Sequence, residues 1–165
     1  MPGEGPSNAE IMFIGEGPGF HENIQGRPFV GAAGDLLVEL LDSIGMKRED
    51  VFIGNILKCR PPGNRDPKPD EIINCLPYLQ QQLELINPEI IVALGAHAAK
   101  TLSETTKSIG QLRGQFHEYC IGGIGGRVVK LMPTYHPAYL LRNYSQDNRR
   151  KVWDDMQKVM AELDS

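Results

Sequence analysis

Residues 90–103 read Ile90-Ile91-Val92-Ala93-Leu94-Gly95-Ala96-His97-Ala98-Ala99-Lys100-Thr101-Leu102-Ser103. The uninterrupted apolar run Ile90 to Leu94 is the pattern of a buried strand, and it feeds directly into a helix from Gly95 to about Ser103. Upstream the same alternation repeats. Glu10 to Gly15 (EIMFIG) is a short apolar run ending in glycine, and from Gly31 to Gly45 the positions Leu36, Leu37, Leu40, Leu41 and Ile44 recur at helical spacing, with Gly45 placed as the stop. Val51 to Leu57 reads as a second strand, the proline-rich PPGNRDPKP over Pro61 to Pro69 as a loop, and Asp70 to Ile86 as a helix with Asp70 as candidate N-cap. Downstream, Gln115 to Cys120 and Arg127 to Met132 can pair as a hairpin across a glycine-rich turn, and Ser145 to Leu163 is helical. Strands alternating with helices predict an α/β fold: a three-layer αβα sandwich around a central, mainly parallel four-stranded sheet. Such a sheet places its working site at the carboxyl ends of its strands.

Composition agrees with one domain over residues 1–165. The 165 residues are 41% hydrophobic and 23% charged, enough to bury roughly two-thirds of the unfolded surface. No apolar run approaches the about 20 residues of a membrane span, and MPGEGPSNAE has neither the basic nor the apolar segment of a signal peptide, so a cytoplasmic, monomeric protein is expected. Three cysteines, Cys59, Cys75 and Cys120, are too few and too odd in number for a disulfide framework. The net charge of −4 runs against nucleic-acid binding. The acids, however, gather in the expected helices (Glu39, Asp42, Asp154, Asp155, Glu162), while Lys58, Arg60, Arg65 and Lys68, then Arg113, then Arg142, Arg149, Arg150 and Lys151 make locally basic stretches.

Four loops stand at the carboxyl ends of the expected strands. Gly15-Glu16-Gly17-Pro18-Gly19 lets backbone approach a ligand closely and expose N–H donors, though a glycine-rich turn reads the same way. No Gly-Lys-Ser/Thr follows, which argues against a P-loop. Asn55 ends an apolar strand, where an unpartnered amide costs about 1–3 kcal/mol. Backbone partners satisfy most such asparagines, but an amide that both donates and accepts also matches the O4 acceptor and N3–H donor of uracil and mismatches cytosine. The third loop is Leu94-Gly95-Ala96. The fourth is Tyr135-His136-Pro137-Ala138-Tyr139-Leu140-Leu141-Arg142, in which His136 reads either as a structural residue at a helix start or as a group facing a bound base.

Taken together, GEGPG followed by GRPFVG, then GNILKCRPPGNR, the apolar strand ending LGA, and YHPAYLLR resemble the family 4, iron–sulfur uracil-DNA glycosylases, in order and approximate spacing from about Pro2 to Lys158. The resemblance implies a monofunctional enzyme of base excision repair. It would flip uracil from single- or double-stranded DNA and hydrolyse its glycosidic bond, leaving an abasic site, with no cofactor needed for the chemistry. Phe29 would stack on the base, Asn55 would read its edge, and His136 would donate to uracil O2 as negative charge develops there. Other branches carry an aspartate for the attacking water where this chain has Gly17; Glu16 or Glu22 is then the candidate holder. Glu22 with Asn64 would also exclude the methyl group of thymine. Leu140 or Leu141 would wedge into the space left by the flipped base and Arg142 would contact phosphate, while core packing is the alternative role for the leucines.

The family also implies a [4Fe–4S] cluster held by an N-terminal Cys-x-x-Cys and two later cysteines with fifteen residues between them. Cys59 and Cys75 match the later two and the first pair is absent, so these residues complete only half of a cubane's ligands, and a missing upstream segment is the favoured explanation. Cys120 reads as a buried thiol. Two other readings stay open: a sibling glycosylase acting on a wider set of deaminated bases, against which Asn55 argues, and a catalytically degenerate domain that only binds nucleotide or DNA.

Overall fold

The computed structural model describes residues 3–17, 29–56, 68–123, 125–143 and 145–164. Five strands form one sheet: β1 (Ile11–Gly15), β2 (Phe52–Asn55), β3 (Ile90–Leu94), β4 (His117–Ile121) and β5 (Arg127–Thr134). Their spatial order is β2-β1-β3-β5-β4. The first four in that row are mutually parallel, and β4 closes one edge antiparallel to β5. The chain therefore reverses direction across the sheet between β1 and β3, the switch point where an open α/β sheet opens a crevice at its carboxyl end.

The helices are α1 (Gly31–Ser43), α2 (Pro69–Ile86), α3 (Ala96–Ser103), α4 (Ile109–Leu112), α5 (Pro137–Arg142) and α6 (Gln146–Leu163). Period-two alternation along the strands divides the core in two. Ile11, Phe13, Ile53, Val92 and Met132 meet the leucines of α1, Leu140 of α5, and Val152, Met156 and Val159 of α6. Met12, Ile14, Ile91, Ala93 and Leu131 meet Leu79 and Leu83 of α2, Ala98, Ala99 and Leu102 of α3, and Leu112 of α4. Both faces of the sheet are covered, which is why β1 and β3 can be wholly apolar.

Several sequence expectations are corrected in detail. The sheet has five strands rather than four, because the first arm of the expected hairpin pairs along its whole length with β5 and becomes an edge strand. Helix α2 starts at Pro69 rather than after an Asp70 cap: Lys68 is its N-cap, and the Lys68 amide donates to Glu71 Oε1 at 2.8 Å. Proline suits a first helical position because its missing N–H would be unpaired there anyway. Helix α4 was not expected. Its signal is Ser108 followed three residues later by Gln111, whose side chains each pair with the other's backbone amide. The stop after α1 falls where expected, with Gly45 at φ +78°.

Asp155 differs from the other acids of the C-terminal helix. It is fully buried on α6, where its oxygens accept from Arg113 Nε at 3.1 Å and Nη2 at 2.6 Å, and from the buried Thr134 hydroxyl at 2.6 Å. This carboxylate ties α6 to the carboxyl end of β5. The same hydrogen bond raises the Arg113 pKa further above its ordinary value. Asp155→Ala strands the guanidinium and the Thr134 hydroxyl, and is expected to cost roughly 3 kcal/mol of unfolding free energy. Urea titration at neutral pH checks it, and a loss below about 0.5 kcal/mol would show that the pair contributes nothing net.

Candidate active site

Gly15 is the last residue of β1 and lies in register with Asn55, the last of β2. A methyl group on Gly15 would stand 2.6 Å from Cζ of Phe29 and 2.8 Å from Oδ1 of Asn55, closer than any carbon tolerates. The glycine therefore lets an aromatic ring and an amide converge over one backbone position. Asn55 is 3% exposed. Among the described residues its amide has no hydrogen-bond partner.

The ring of Phe29 is buried, and its centroid stands 5.1 Å from that of His136 with 27° between the planes. His136 follows β5 and caps α5, its Nδ1 accepting the Ala138 amide at 2.9 Å. An imidazole nitrogen that accepts carries no proton, so the neutral ring holds its hydrogen on Nε2, as a donor. Burial pushes the His136 pKa down from 6.5 to about 4, and the positive charge of Arg142 adds to the effect. At neutral pH the residue is thus an uncharged donor of fixed tautomer. Gly95 makes room for it: the residue sits at φ +95°, and a methyl there would lie 3.0 Å from Cβ of His136. Behind the loop, Tyr135 and Tyr139 stack at 4.7 Å, and the Arg113 guanidinium carbon lies 5.9 Å from the Tyr135 ring centre.

Of the residues picked from sequence, the structure brings Gly15, Phe29, Asn55, Gly95 and His136 together. Glu16 and Gly17 are half-buried in the turn leaving β1. Glu22, Asn64 and Cys59 lie outside the described residues. The two leucines separate: Leu140 is 1% exposed and packs in the core, whereas Leu141 is 47% exposed, so Leu141 alone of the pair is presented at the surface, beside exposed Arg142. Cys75 is half-buried on α2, and Cys120, expected to be buried, is half-exposed on β4 with its thiol donating to the Gly123 carbonyl at 2.6 Å. Among the described residues no three His, Cys, Asp or Glu side chains gather as a metal site. The described cysteines, Cys75 and Cys120, number half of a four-thiolate set, so the described residues alone do not hold such a cluster. Sequence reading missed Arg113, Thr134 and Asp155; the signal was Asp155 standing at helical spacing with Val152, Met156 and Val159, the buried stripe of α6.

Residues 2–157 match the Uracil DNA glycosylase superfamily. The chain belongs to that superfamily. It is 49% identical to a type-4 uracil-DNA glycosylase of Saccharolobus solfataricus, over all of this chain and 76% of that protein. It is 50% identical to the type-4 enzyme of Thermotoga maritima, over 96% of this chain and 80% of the relative. A type-5 uracil-DNA glycosylase of Pyrobaculum aerophilum is 32% identical over 85% of this chain and 66% of its own length.

The protonation of His136 is directly measurable. Its folded pKa lies below its unfolded one, so the unfolded chain takes up the proton first. This residue's effect on stability is therefore absent above about pH 6.5, and stability erodes as pH falls toward 4. The imidazole carbon-bound proton resonance of His136 is expected to titrate near pH 4, and a midpoint near 6.5 would remove the neutral-donor assignment.

Proposed function

We propose that this chain is a uracil-DNA glycosylase of the type-4 kind, hydrolysing the N-glycosidic bond of uracil in DNA as the first step in repairing deaminated cytosine. The observation that carries the reading is the meeting of an uncommitted amide, an aromatic ring and a neutral imidazole donor around Gly15. The scissile bond is inaccessible within stacked DNA, so the nucleotide must be extruded into the site. Phe29 provides the aromatic surface for the base. The Asn55 amide reads uracil O4 and N3–H, a pairing that cytosine's reversed edge refuses.

Bond cleavage leaves positive charge on the sugar and negative charge on the departing uracil. The Nε2–H of His136 donates to uracil O2 as that anion forms. A charged imidazolium would bind an anion more strongly, but it would also be costly to bury beside Phe29. The neutral ring is already in place at the pH where the protein works, and a preorganised donor of this kind is worth on the order of 3–4 kcal/mol. Glu16 or Glu22 holds the attacking water, since Gly17 has no side chain to do so, and Glu22 with Asn64 excludes the thymine methyl. Leu141 enters the duplex at the vacated position and Arg142 meets phosphate. Cys59 and Cys75 would be two of the four ligands of the cluster that the resemblance implies, which the bond cleavage itself does not need.

The purified chain is expected to release free uracil from an oligonucleotide carrying a single uracil. Binding without release would reduce it to a DNA-binding domain. His136→Ala is expected to lower kcat by about 10²–10³. Asn55→Asp replaces the amide donor with a second acceptor and is expected to abolish uracil release or shift it toward cytosine; unchanged uracil kinetics would take Asn55 out of the site. Iron and sulfide analysis of the purified chain is expected to give far less than one cluster per molecule, and a full complement would overturn the count of two ligands.

A further inference from the structure

Phe29 stands in an unfavourable backbone conformation, at φ +50°, a region that a bulky aromatic residue rarely adopts. Something must hold it there. Its carbonyl is pressed against Gly34 of α1 so closely that a methyl on Gly34 would lie 1.9 Å from the oxygen. The same carbonyl accepts a hydrogen bond from Arg48 Nη1. Arg48 belongs to the helical turn Arg48–Asp50, which the Lys47 amide stabilises by donating to Asp50 Oδ2 at 2.9 Å. The other side of the guanidinium is held by Glu4, whose Oε2 accepts from Nε at 3.1 Å and Nη2 at 2.9 Å. Glu4 is in turn fixed by its own backbone, which pairs with Ile53 in both directions, at 2.9 and 2.8 Å. Ile53 is two residues before Asn55 on β2.

A continuous path thus runs from the strand that carries the reading amide, through Glu4 and Arg48, to the backbone of the aromatic residue. We infer that Glu4 and Arg48 are positioning residues: together they hold the Phe29 ring at its distance from Asn55, so that base stacking and edge reading occur in one geometry. Neither touches the base. The guanidinium is suited to this task because its planar fork presents donors on two sides, to a carboxylate and to a carbonyl at once, which a lysine ammonium cannot reproduce in the same plane. The side chain of Arg48 is 15% exposed and that of Glu4 is 35% exposed, so the pair is shielded enough to keep one arrangement. This inference rests on the glycosylase reading above and goes beyond it in naming what positions the stacking ring.

Single-turnover uracil release from a single-uracil oligonucleotide, measured for the unaltered chain, R48A, R48K, F29A and R48A/F29A, tests it, together with inhibition by free uracil. A small displacement of a positioning contact costs on the order of tenfold to a hundredfold in rate, and R48A is expected to fall in that range. R48K, which keeps one donor for the Phe29 carbonyl, is expected to recover part of that loss. R48A/F29A is expected to be no slower than the slower single variant, because Arg48 acts only through Phe29, and inhibition by free uracil is expected to weaken in R48A as it does in F29A. Losses that multiply in the double variant, an R48A rate equal to that of the unaltered chain, or undiminished uracil inhibition in R48A would each overturn the assignment. If R48A does not fold, the same comparisons made with R48K decide the matter. Failure of the glycosylase reading shows separately, as an unaltered chain that releases no uracil.

Discussion

Everything at the working end of the molecule depends on the absence of one carbon atom. β1 is an inner strand of the parallel row, apolar and covered on both faces, and it ends at Gly15. Because that position has no side chain, the Phe29 ring and the Asn55 amide can close over it within distances that a methyl would forbid. Had β1 ended in alanine, the ring or the amide would have to leave its place over this position, although the backbone that carries each is held. Asn55 is fixed by strand pairing to Gly15 itself, and Phe29 is wedged against α1 through its carbonyl. The sheet thus supplies position, and the missing side chain supplies room.

Electrostatics complete the arrangement from the opposite side. His136 is reached by β5, whose carboxyl end is anchored by the Thr134 hydroxyl on buried Asp155. The Ala138 amide then selects the tautomer, and burial selects the neutral form. The helix that follows shares the same hydrogen bond: α5 begins with Pro137, and His136 caps it. One contact therefore serves both the folding of a short helix and the protonation state of a chemical group. Loss of that contact would free the ring to take the other tautomer.

Legibility in the sequence followed physical range. Apolar runs and helical spacing are local properties, so all four parallel strands and the long helices could be placed from residues close together in the chain. Whether β4 joined the sheet could not be read that way, because an edge strand with a half-buried pattern looks like a free hairpin arm until its partner is known. Asn55, Phe29 and His136 were legible as residues because their neighbours form motifs. Their convergence on Gly15 was not, since it depends on the register of β1 against β2. Asp155 was counted only as one more acid of the C-terminal helix, although its spacing with Val152, Met156 and Val159 put it on the buried stripe. Arg48 carried no signal: its partners Glu4 and Phe29 are distant in sequence and meet only in the fold.

Net charge was a poor guide for a related reason. A formal −4 is a sum over the whole chain and does not fix the local field: ion pairs leave that sum unchanged but take their members out of the local balance. Glu4 meets Arg48, Asp155 meets Arg113, Glu89 meets Arg127, Glu162 meets Lys130, Glu39 meets Arg149 and Asp147 meets Lys151. Pairs of this kind look nearly neutral beyond about 10 Å in physiological salt. The field that an approaching DNA strand meets is set by charges left outside such pairs near the site. Among the described residues, exposed Arg142 forms no ion pair and stands on the helix that His136 begins. Its cation also helps keep His136 uncharged. The same exposed cation that adds positive charge to this end of the sheet therefore also favours the neutral form of the buried imidazole.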